Sequence, residues 1–325
     1  MRYAYRFFGE CFSINRLLVG FGPIRSSKLT SITVSMSLTA TEGFEDCACA
    51  PLCHGSGSGL ANSSAMALEQ LEGGRFIRVR YGDGTTFVLN RPGSEIRASW
   101  TPPSRPEDVE TYLFGQIAGL LLYQRGSTCL HASAVAHRDK ALVFAGTAEA
   151  GKSTLAATFA HAGHRVLTDD ILVIDRARRG FVARPGIPRV GLWPESVSHL
   201  WGHANSLPRQ VPNWDKRYLN LFAENLFQDT PLTVGAIYVL ADRLPGGSAS
   251  IEPFTGASSL RVLIANKYVT RISNRHQDKR DFLLLSELAG SVPIRRVMRS
   301  DRLSDVYQTR EAILADFESL ERASA

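Results

Sequence analysis

The stretch ALVFAGTAEAGKSTLAATFAHAG, residues 141–163, decides the fold. Its apolar opening, ALVFA, predicts a buried strand, and the residues after the glycines predict a helix over Lys152–His161 that ends before Gly163. Between them, GTAEAGKST begins at Gly146 and satisfies G-x-x-x-x-G-K-[ST], the spacing of a phosphate-binding loop. In such a loop, successive backbone amides and the helix N-terminus face a phosphate. The stretch therefore predicts a nucleotide site at the end of a buried strand.

Each residue type in this loop has an expected task. Lys152 is expected to reach the β and γ oxygens of a nucleotide as a point charge, and Ser153 to give its hydroxyl to Mg2+. Glu149 adds a negative charge, which weakens phosphate binding unless its side chain points outward or meets a cation. The candidate nucleotide-binding residues are Gly146, Thr147, Ala148, Glu149, Ala150, Gly151, Lys152, Ser153 and Thr154.

An acidic pair follows the loop. Asp169 and Asp170 come directly after the apolar run VLT, where a second strand is expected to end beside the loop. Neighbouring residues face opposite ways, so one carboxylate is expected to hold magnesium and the other to act as general base. His131 stands in the strand-like segment LHASAV, where a lone histidine is more often a core residue, so its role stays open on physical grounds.

Composition narrows the class of protein. The 325 residues are 44% hydrophobic and 21% charged, which is typical of a soluble globular chain. The net charge of +6 arises from 37 basic and 31 acidic residues that are interspersed, and no base-reading motif is visible, so no nucleic acid partner is expected. No apolar run reaches the roughly 18 residues of a membrane span, and the N-terminus lacks the apolar core of a signal peptide. Five cysteines do not suggest a disulfide framework. A cytoplasmic protein without a membrane partner is expected.

Two domains are expected from the patterning. Residues 1–125 predict a small α+β domain with a flexible loop around 40–70, where GSGSGLANSS is rich in glycine and serine. Within this domain FIRVRYGDGTTFVLN, residues 76–90, predicts a hairpin. Ser104 and Glu107 have the spacing of a capping box, and apolar residues at helical intervals predict a helix from there to Gly126.

Residues 126–325 predict the main domain. Strand-like and helical segments alternate from LHASAVAH through TVGAIYVLAD, with continuous apolar runs. This alternation predicts an α/β domain whose strands are buried on both faces. The last 70 residues are expected to be mainly helical.

The motif-bearing core has a family resemblance. LHASAVAHRDKALVFAGTAEAGKSTLAATFAHAGHRVLTDDILVID, residues 130–175, resembles the core of HPr kinase/phosphorylase. In that family a histidine-bearing strand, a phosphate loop and an Asp-Asp pair follow in this order. The chain is also similar to shorter HPr-kinase-like proteins found beside peptide-modification genes, including lasso peptide clusters, through RVGLWPESV and IYVLADR.

The resemblance implies a fold and an activity. The fold is a P-loop kinase domain of the HPr kinase/PEP carboxykinase type, and the activity is ATP- and Mg2+-dependent phosphorylation of a serine or threonine hydroxyl on a peptide or protein. It implies that Ser153 and Asp170 bind magnesium, that Asp169 is the base, and that His131 lies near the phosphates. A homo-oligomer is compatible with the resemblance, although no interface is visible in the sequence.

Some features depart from the family or leave alternatives open. RARRGFVARPGIPRVG does not reproduce the glycine-rich signature used for phosphorolysis, and the first 125 residues do not resemble the bacterial regulator, so HPr is not the expected substrate. A small-molecule kinase, and a nucleotide-binding regulator or NTPase with little phosphotransfer, remain alternatives, as does GTP in place of ATP.

Several weaker candidates lie outside the motif. Arg189 is a candidate phosphate or substrate contact, and Lys216-Arg217 a candidate loop that closes over the nucleotide or docks an acidic peptide. Lys267 and Arg271 would share one face of a helix. The cluster Cys47, Cys49, Cys53 and His54 has ligand types that suit zinc but a tighter spacing than usual, so free thiols in a loop are the more common outcome.

Overall fold

The structure, a computed structural model, describes residues 1–18, 20–24, 31–38, 49–55, 66–212, 214–268 and 274–324, with the backbone alone for 49–55. The chain falls into two compact units. The first comprises Met1–Ser127, Gln210–Trp214 and Val269–Asn274, and the second comprises Thr128–Arg209, Asp215–Tyr268 and Arg275–Ala325. Among the described helices, none is both long enough and apolar enough to cross a membrane.

The first unit is built on an eight-stranded sheet. The strands are β1 Tyr3–Phe7, β2 Glu10–Ile14, β3 Ile32–Ser37, β4 Cys49–Gly55, β5 Met66–Leu71, β6 Phe76–Tyr81, β7 Thr86–Asn90 and β8 Glu95–Ser99. They lie in the order β1-β2-β3-β8-β7-β6-β5-β4. Pairing is parallel between β2 and β3 and between β3 and β8, and antiparallel elsewhere.

The hairpin predicted over residues 76–90 is confirmed. β6 and β7 pair antiparallel from Phe76↔Asn90 to Arg80↔Thr86. The turn contains Gly84 at φ 87°, where a Cβ would lie 2.7 Å from the Thr101 hydroxyl oxygen. Glycine at this position therefore meets both a backbone and a packing requirement.

The segment 40–70 is only in part what the sequence predicted. β4 and β5, which were expected in a flexible loop, are strands that pair antiparallel with each other. Residues 39–48 and 56–65 lie outside the described residues. The cysteines and proline within β4 and the small residues after it conceal the alternation that usually marks a hairpin.

The helix predicted from Ser104 to Gly126 is two helices, α1 Pro106–Tyr112 and α2 Ala118–Gln124, joined by a wider turn over Leu113–Ile117. The predicted capping box is displaced by one residue. Arg105 is the N-cap, and its backbone N–H donates to the Asp108 carboxylate at 2.8 Å. Pro106 causes the shift because proline is favoured at the first helical position and holds the residue before it in an extended conformation. The interruption falls at Gly115, whose φ of −99° and ψ of −106° are not helical.

The second unit contains a mixed sheet. Its strands are β9 Thr128–His137, β10 Lys140–Ala145, β11 Val166–Thr168, β12 Ile171–Arg176, β13 Phe181–Ala183, β17 Leu232–Leu244, β18 Ser250–Pro253 and β19 Ile294–Ser300. The order is β10-β9-β12-β13-β17-β19-β18, with β11 also on β9 and β10 also on β17. Because β10 runs parallel to β17 and β17 parallel to β19, the carboxyl ends of these three strands lie at one edge.

Helices cover both faces of this sheet. They are α3 Lys152–His161, α4 Pro194–Trp201, α5 Ala257–Ala265, α6 Arg275–Ser291 and α7 Val306–Ser324. Along β10, Leu142 and Phe144 belong to a core that includes residues of α3, α4 and α7. Val143 and Ala145 belong to a second core that includes residues of α5 and α6. The expectation of a mixed α/β unit with strands buried on both faces is confirmed.

Three further strands, β14 Arg189–Leu192, β15 Arg209–Val211 and β16 Trp214–Asn220, follow the acidic pair in sequence. β14 and β16 pair antiparallel, from Arg189↔Asn220 to Leu192↔Arg217. The C-terminal region is less uniformly helical than predicted, because β19 lies between β17 and β18 in the main sheet. Its sequence IRRVMRS alternates between apolar and charged residues too irregularly to predict a strand.

Candidate functional site

The loop 146–151 joins β10 to α3, and α3 begins and ends where the sequence predicted, at Lys152 and His161. Gly146 packs closely, since a Cβ there would lie 3.1 Å from the Leu240 carbonyl oxygen. Gly151, the N-cap of α3, has a φ of 89° and Glu149 a φ of 62°, so both lie in the left-handed region. Left-handed residues among residues of ordinary conformation turn neighbouring backbone N–H groups toward a common point.

The carbonyl groups of this loop are occupied by cationic side chains. Lys152 Nζ donates to the carbonyl oxygens of Gly146 and Thr147 at 3.0 and 2.9 Å. Arg243 donates to the Glu149 carbonyl at 3.2 Å, and Arg299 donates to the carbonyl of Ala150. These bonds hold the negative ends of the peptide dipoles away from the concave side of the loop.

The amide groups of the loop are differently placed. The Gly146 N–H donates to Asn266 Oδ1 at 2.8 Å. Within the described part of the chain, the N–H groups of Ala148, Glu149 and Gly151 have no acceptor. The loop therefore presents several donors next to a helix N-terminus, which is the arrangement that binds an anion.

The charge on Glu149 does not oppose this function. Its side chain is exposed, as are those of Thr147 and Ala148. The guanidinium of Arg243 contacts its carbonyl oxygen. The exposed side chain agrees with the first condition expected from the sequence, an outward orientation, whereas Arg243 contacts the backbone oxygen and not the carboxylate.

Lys152 is almost completely buried, with 6% of its surface exposed. Burial lowers the pKa of its ammonium group, because removal of water penalises the charged form, and the nearby carboxylates of Asp169 and Asp170 oppose this effect. The next residues of α3 face other partners. Ser153 Oγ donates to Asp169, and the Thr154 and Ser196 hydroxyl oxygens lie 2.9 Å apart.

Asp169 is buried and held by three donors. Its Oδ1 accepts hydrogen bonds from Ser133 Oγ at 2.6 Å and from Ser153 Oγ at 2.9 Å. Its Oδ2 accepts one from the Gly191 N–H at 3.1 Å. The orientation of this carboxylate is therefore fixed from β9, α3 and β14 together.

Asp170 has different surroundings. It has a φ of 74°, and about half of its side chain is exposed (52%). His131 Nδ1 lies 3.0 Å from its Oδ1. Surrounding protein atoms disfavour the charged form, but the hydrogen bond and charge of His131, with Lys216 and Lys152, outweigh this effect and hold the pKa of Asp170 below its ordinary value. The two carboxylates thus have separate partners, as expected of adjacent residues.

The weaker candidates lie on ordered elements. Arg189 lies on β14, and its guanidinium stacks on the Tyr218 ring at 4.6 Å from the centroid. Lys216 and Arg217 lie on β16, so the predicted loop there was wrong. Arg217 is buried and donates to the Ala204 carbonyl and to Asp215, which indicates a structural role.

The predicted helical pair of Lys267 and Arg271 was also wrong. α5 ends before Lys267, which forms ion pairs with Asp278 and Asp281 at 2.8 and 2.7 Å. Arg271 lies outside the described residues. The helical pattern ended earlier than its basic residues suggested.

Sequence reasoning missed Asn266. Besides the bond to Gly146, its Nδ2 donates to the Val262 carbonyl at 2.8 Å, and its backbone oxygen accepts from the His131 N–H at 2.7 Å. It thereby links α5 to both the loop and β9. Nothing in the local sequence singles out this asparagine, because its partner is 120 residues away.

No cluster of three or more His, Cys, Asp or Glu side chains suited to a metal ion occurs among the described residues. Of the cysteine cluster, Cys47 lies outside the described residues, and the side chains of Cys49, Cys53 and His54 are not described. The described residues therefore do not test the expectation of free thiols there or its alternative, zinc binding.

Comparisons with known proteins gave similarities to solved structures. No family model matches the chain, and no curated protein matches it. Among solved structures, the chain is similar to the Hpr(Ser) kinase/phosphatase from Coxiella burnetii, with 9% identity and a TM-score of 0.34 over 60% of this chain and 94% of that chain. A similarity at this TM-score does not establish a common fold, so the functional argument rests on the site.

Proposed function

We propose that the second unit is an ATP- and Mg2+-dependent P-loop kinase that transfers a γ-phosphoryl group to a serine or threonine hydroxyl. The observation that carries this proposal is the loop 146–151, where cationic side chains bind the carbonyl oxygens and several amides have no acceptor among the described residues. Lys152 and the buried carboxylate of Asp169 stand beside that loop. Together these groups supply the positioning and the charge that phosphoryl transfer requires.

The oxygens of Ser153 and Asp169 are suited to hold magnesium. They lie 2.9 Å apart, and a hydroxyl with a carboxylate is the hard-oxygen donor pair that Mg2+ takes together with phosphate oxygens and water. When bound, the ion would neutralise charge on the phosphates. Ser133 and the Gly191 amide fix the Asp169 carboxylate, as outer partners of a metal ligand do.

These contacts favour an exchange of the roles that the resemblance implied. Asp170 was expected to bind magnesium and Asp169 to act as base. Ser153 bonds to Asp169, however, and the more exposed carboxylate is Asp170. We therefore assign the metal to Ser153 and Asp169, and the base to Asp170.

The reaction follows from these roles. The acceptor hydroxyl oxygen forms a bond to the γ-phosphorus while the bond to the β,γ-bridging oxygen breaks, and ADP leaves with that electron pair. Asp170 takes the hydroxyl proton, and His131 orients its carboxylate. Lys152 and the loop amides stabilise the charge that spreads over the phosphoryl oxygens.

The acceptor is assigned by resemblance alone. A peptide or protein hydroxyl, including that of a lasso-type precursor peptide, is preferred to a small molecule because of the likeness to HPr-kinase-like proteins near peptide-modification genes.

The test is transfer of labelled γ-phosphate from Mg2+-ATP to serine- and threonine-containing peptides encoded near the gene. We expect label on a peptide hydroxyl with the wild type, and its loss in Lys152→Ala and Asp170→Asn. Lys140→Ala is the matched control, because this lysine lies at the opposite end of β10 and should retain transfer. If ATP binds but no peptide, small molecule or water accepts the phosphate, the protein is a nucleotide-binding regulator and the kinase proposal is wrong.

A further inference from the structure

A second lysine lies beside the acidic pair. Lys216 is half-buried on β16, and its side chain crosses the backbone of Gly191 on β14. A Cβ built on Gly191 would lie 2.8 Å from Lys216 Cε and 3.2 Å from Nζ. The N–H of this same glycine donates to Asp169 Oδ2, so the ammonium group stands next to the peptide that holds the buried carboxylate.

The ammonium group of Lys216 lies close to the buried carboxylate of Asp169, because both approach the backbone of Gly191.

The two lysines come from different elements. Lys152 begins α3 beneath the loop, whereas Lys216 comes from the β14–β16 pair on the side of Gly191. The surroundings of the acidic pair thus include ammonium groups from two different elements. A phosphate held by the loop amides and Lys152 would need further positive charge when its oxygens gain charge in the reaction.

We propose that Lys216 is a catalytic residue that contacts the phosphoryl group during transfer. This inference rests on the proposed kinase function and adds a residue to it. A lysine suits the role because its ammonium is a compact point charge on a flexible stem. A side chain at position 191 would displace the end of the Lys216 side chain from this place.

The test separates binding of the nucleotide from stabilisation of the transferred group. The full chain is titrated with Mg2+-ADP alone, and then with Mg2+-ADP and aluminium fluoride, whose complex imitates the phosphoryl group in transfer. We expect Lys216→Met to leave the affinity for Mg2+-ADP unchanged and to reduce the fluoride-dependent gain in affinity by about 100-fold. Lys216→Arg should restore part of the gain, and Lys140→Met, the matched control, should behave as the wild type.

A second variant tests the position of the side chain without removing its charge. Gly191→Ala keeps the N–H to Asp169 but displaces Lys216, so it should also reduce the fluoride-dependent gain. In a Lys216→Met background the same substitution should have little further effect, because there is no ammonium group left to displace. Additive losses would show that Gly191 acts independently of Lys216, and would overturn the positional argument.

The remaining outcomes are distinct. If Lys216→Met keeps the full gain while Lys152→Ala loses nucleotide binding, the role of Lys216 is wrong and the kinase proposal is untouched. If Lys216→Met weakens Mg2+-ADP and the fluoride complex equally, the lysine binds nucleotide uniformly and is not specific to the transferred group. If the wild type shows neither ADP binding nor a fluoride-dependent gain, the proposed function itself has failed.

Discussion

Replacement of Asn266 by alanine tests how the loop is held in place. Asn266 is 7% exposed, and its Oδ1 is the acceptor for the N–H of Gly146, which is buried. Asn266→Ala leaves that N–H without a partner and removes the 2.8 Å bond from Nδ2 to Val262. The helix α5 that precedes it stays intact, so the effect should be confined to the loop and its contact with β9.

The magnitude follows from the two lost bonds. A buried donor without an acceptor costs about 1–3 kcal/mol, and the second bond contributes about 0.5–1.5 kcal/mol, for a total of about 1.5–4.5 kcal/mol. Since about 1.36 kcal/mol corresponds to a tenfold change, exchange of the Gly146 amide hydrogen should accelerate about 10- to 2000-fold.

The assay is hydrogen exchange measured by mass spectrometry on fragments that separate Gly146 from its neighbours. Arg261→Ala is the matched control, because Arg261 is exposed on the same helix and donates to the Ser258 hydroxyl oxygen. Exchange at Gly146 that is equally slow in Asn266→Ala and in the control would refute the reasoning.

Other predictions address the acidic pair and its support. Asp169→Asn should abolish the effect of Mg2+ on ATP affinity, whereas Asp170→Asn should retain that effect and lose turnover. Equilibrium binding of ATP with and without Mg2+ distinguishes the two variants. The opposite pattern would show that Asp170 binds magnesium and Asp169 is the base. Gly186→Ala should lower the melting temperature, because the new Cβ would lie 2.0 Å from the Thr168 hydroxyl oxygen. Overpacking of this kind costs about 1–3 kcal/mol of stability. An unchanged melting temperature would contradict this packing. Since the pKa of Asp170 is lowered in the folded state, its stabilising contribution is complete above about pH 4 and is lost as pH falls through the lowered value. His131→Asn should therefore shift the acid unfolding midpoint to higher pH, although the shift is reduced by solvent screening at this half-exposed carboxylate.

Local patterns predicted the parts of the site that are close in sequence. The loop and α3 follow from an apolar run, two glycines and a lysine within the stretch 141–163, and the helix bounds agree. The proximity of the acidic pair to the loop follows from a strand placed beside it, but the bond of Ser153 to Asp169 rather than to Asp170 was not predicted. Short connections leave few alternatives for such neighbours.

Long-range pairing was not predictable in the same way. Arg299 reaches the Ala150 carbonyl across 149 residues because β19 pairs with β17, and Arg243 stands opposite Arg299 in that register. Register depends on the packing of whole strands rather than on a local pattern. Arg299 is 9% exposed, and burial together with the charge of Arg243 lowers its pKa to about 10, which Asp242 opposes. The cations that hold the loop are therefore visible only in the folded chain.

The most direct test of the central claim is equilibrium binding of ATP to the full chain, measured with and without Mg2+ in the wild type, Lys152→Ala and the control Lys140→Ala. The account predicts that the wild type and the control bind ATP more tightly when Mg2+ is present, and that Lys152→Ala loses most of this binding. Equal ATP binding by Lys152→Ala, or no ATP binding by the wild type, would contradict a nucleotide site at the loop 146–151.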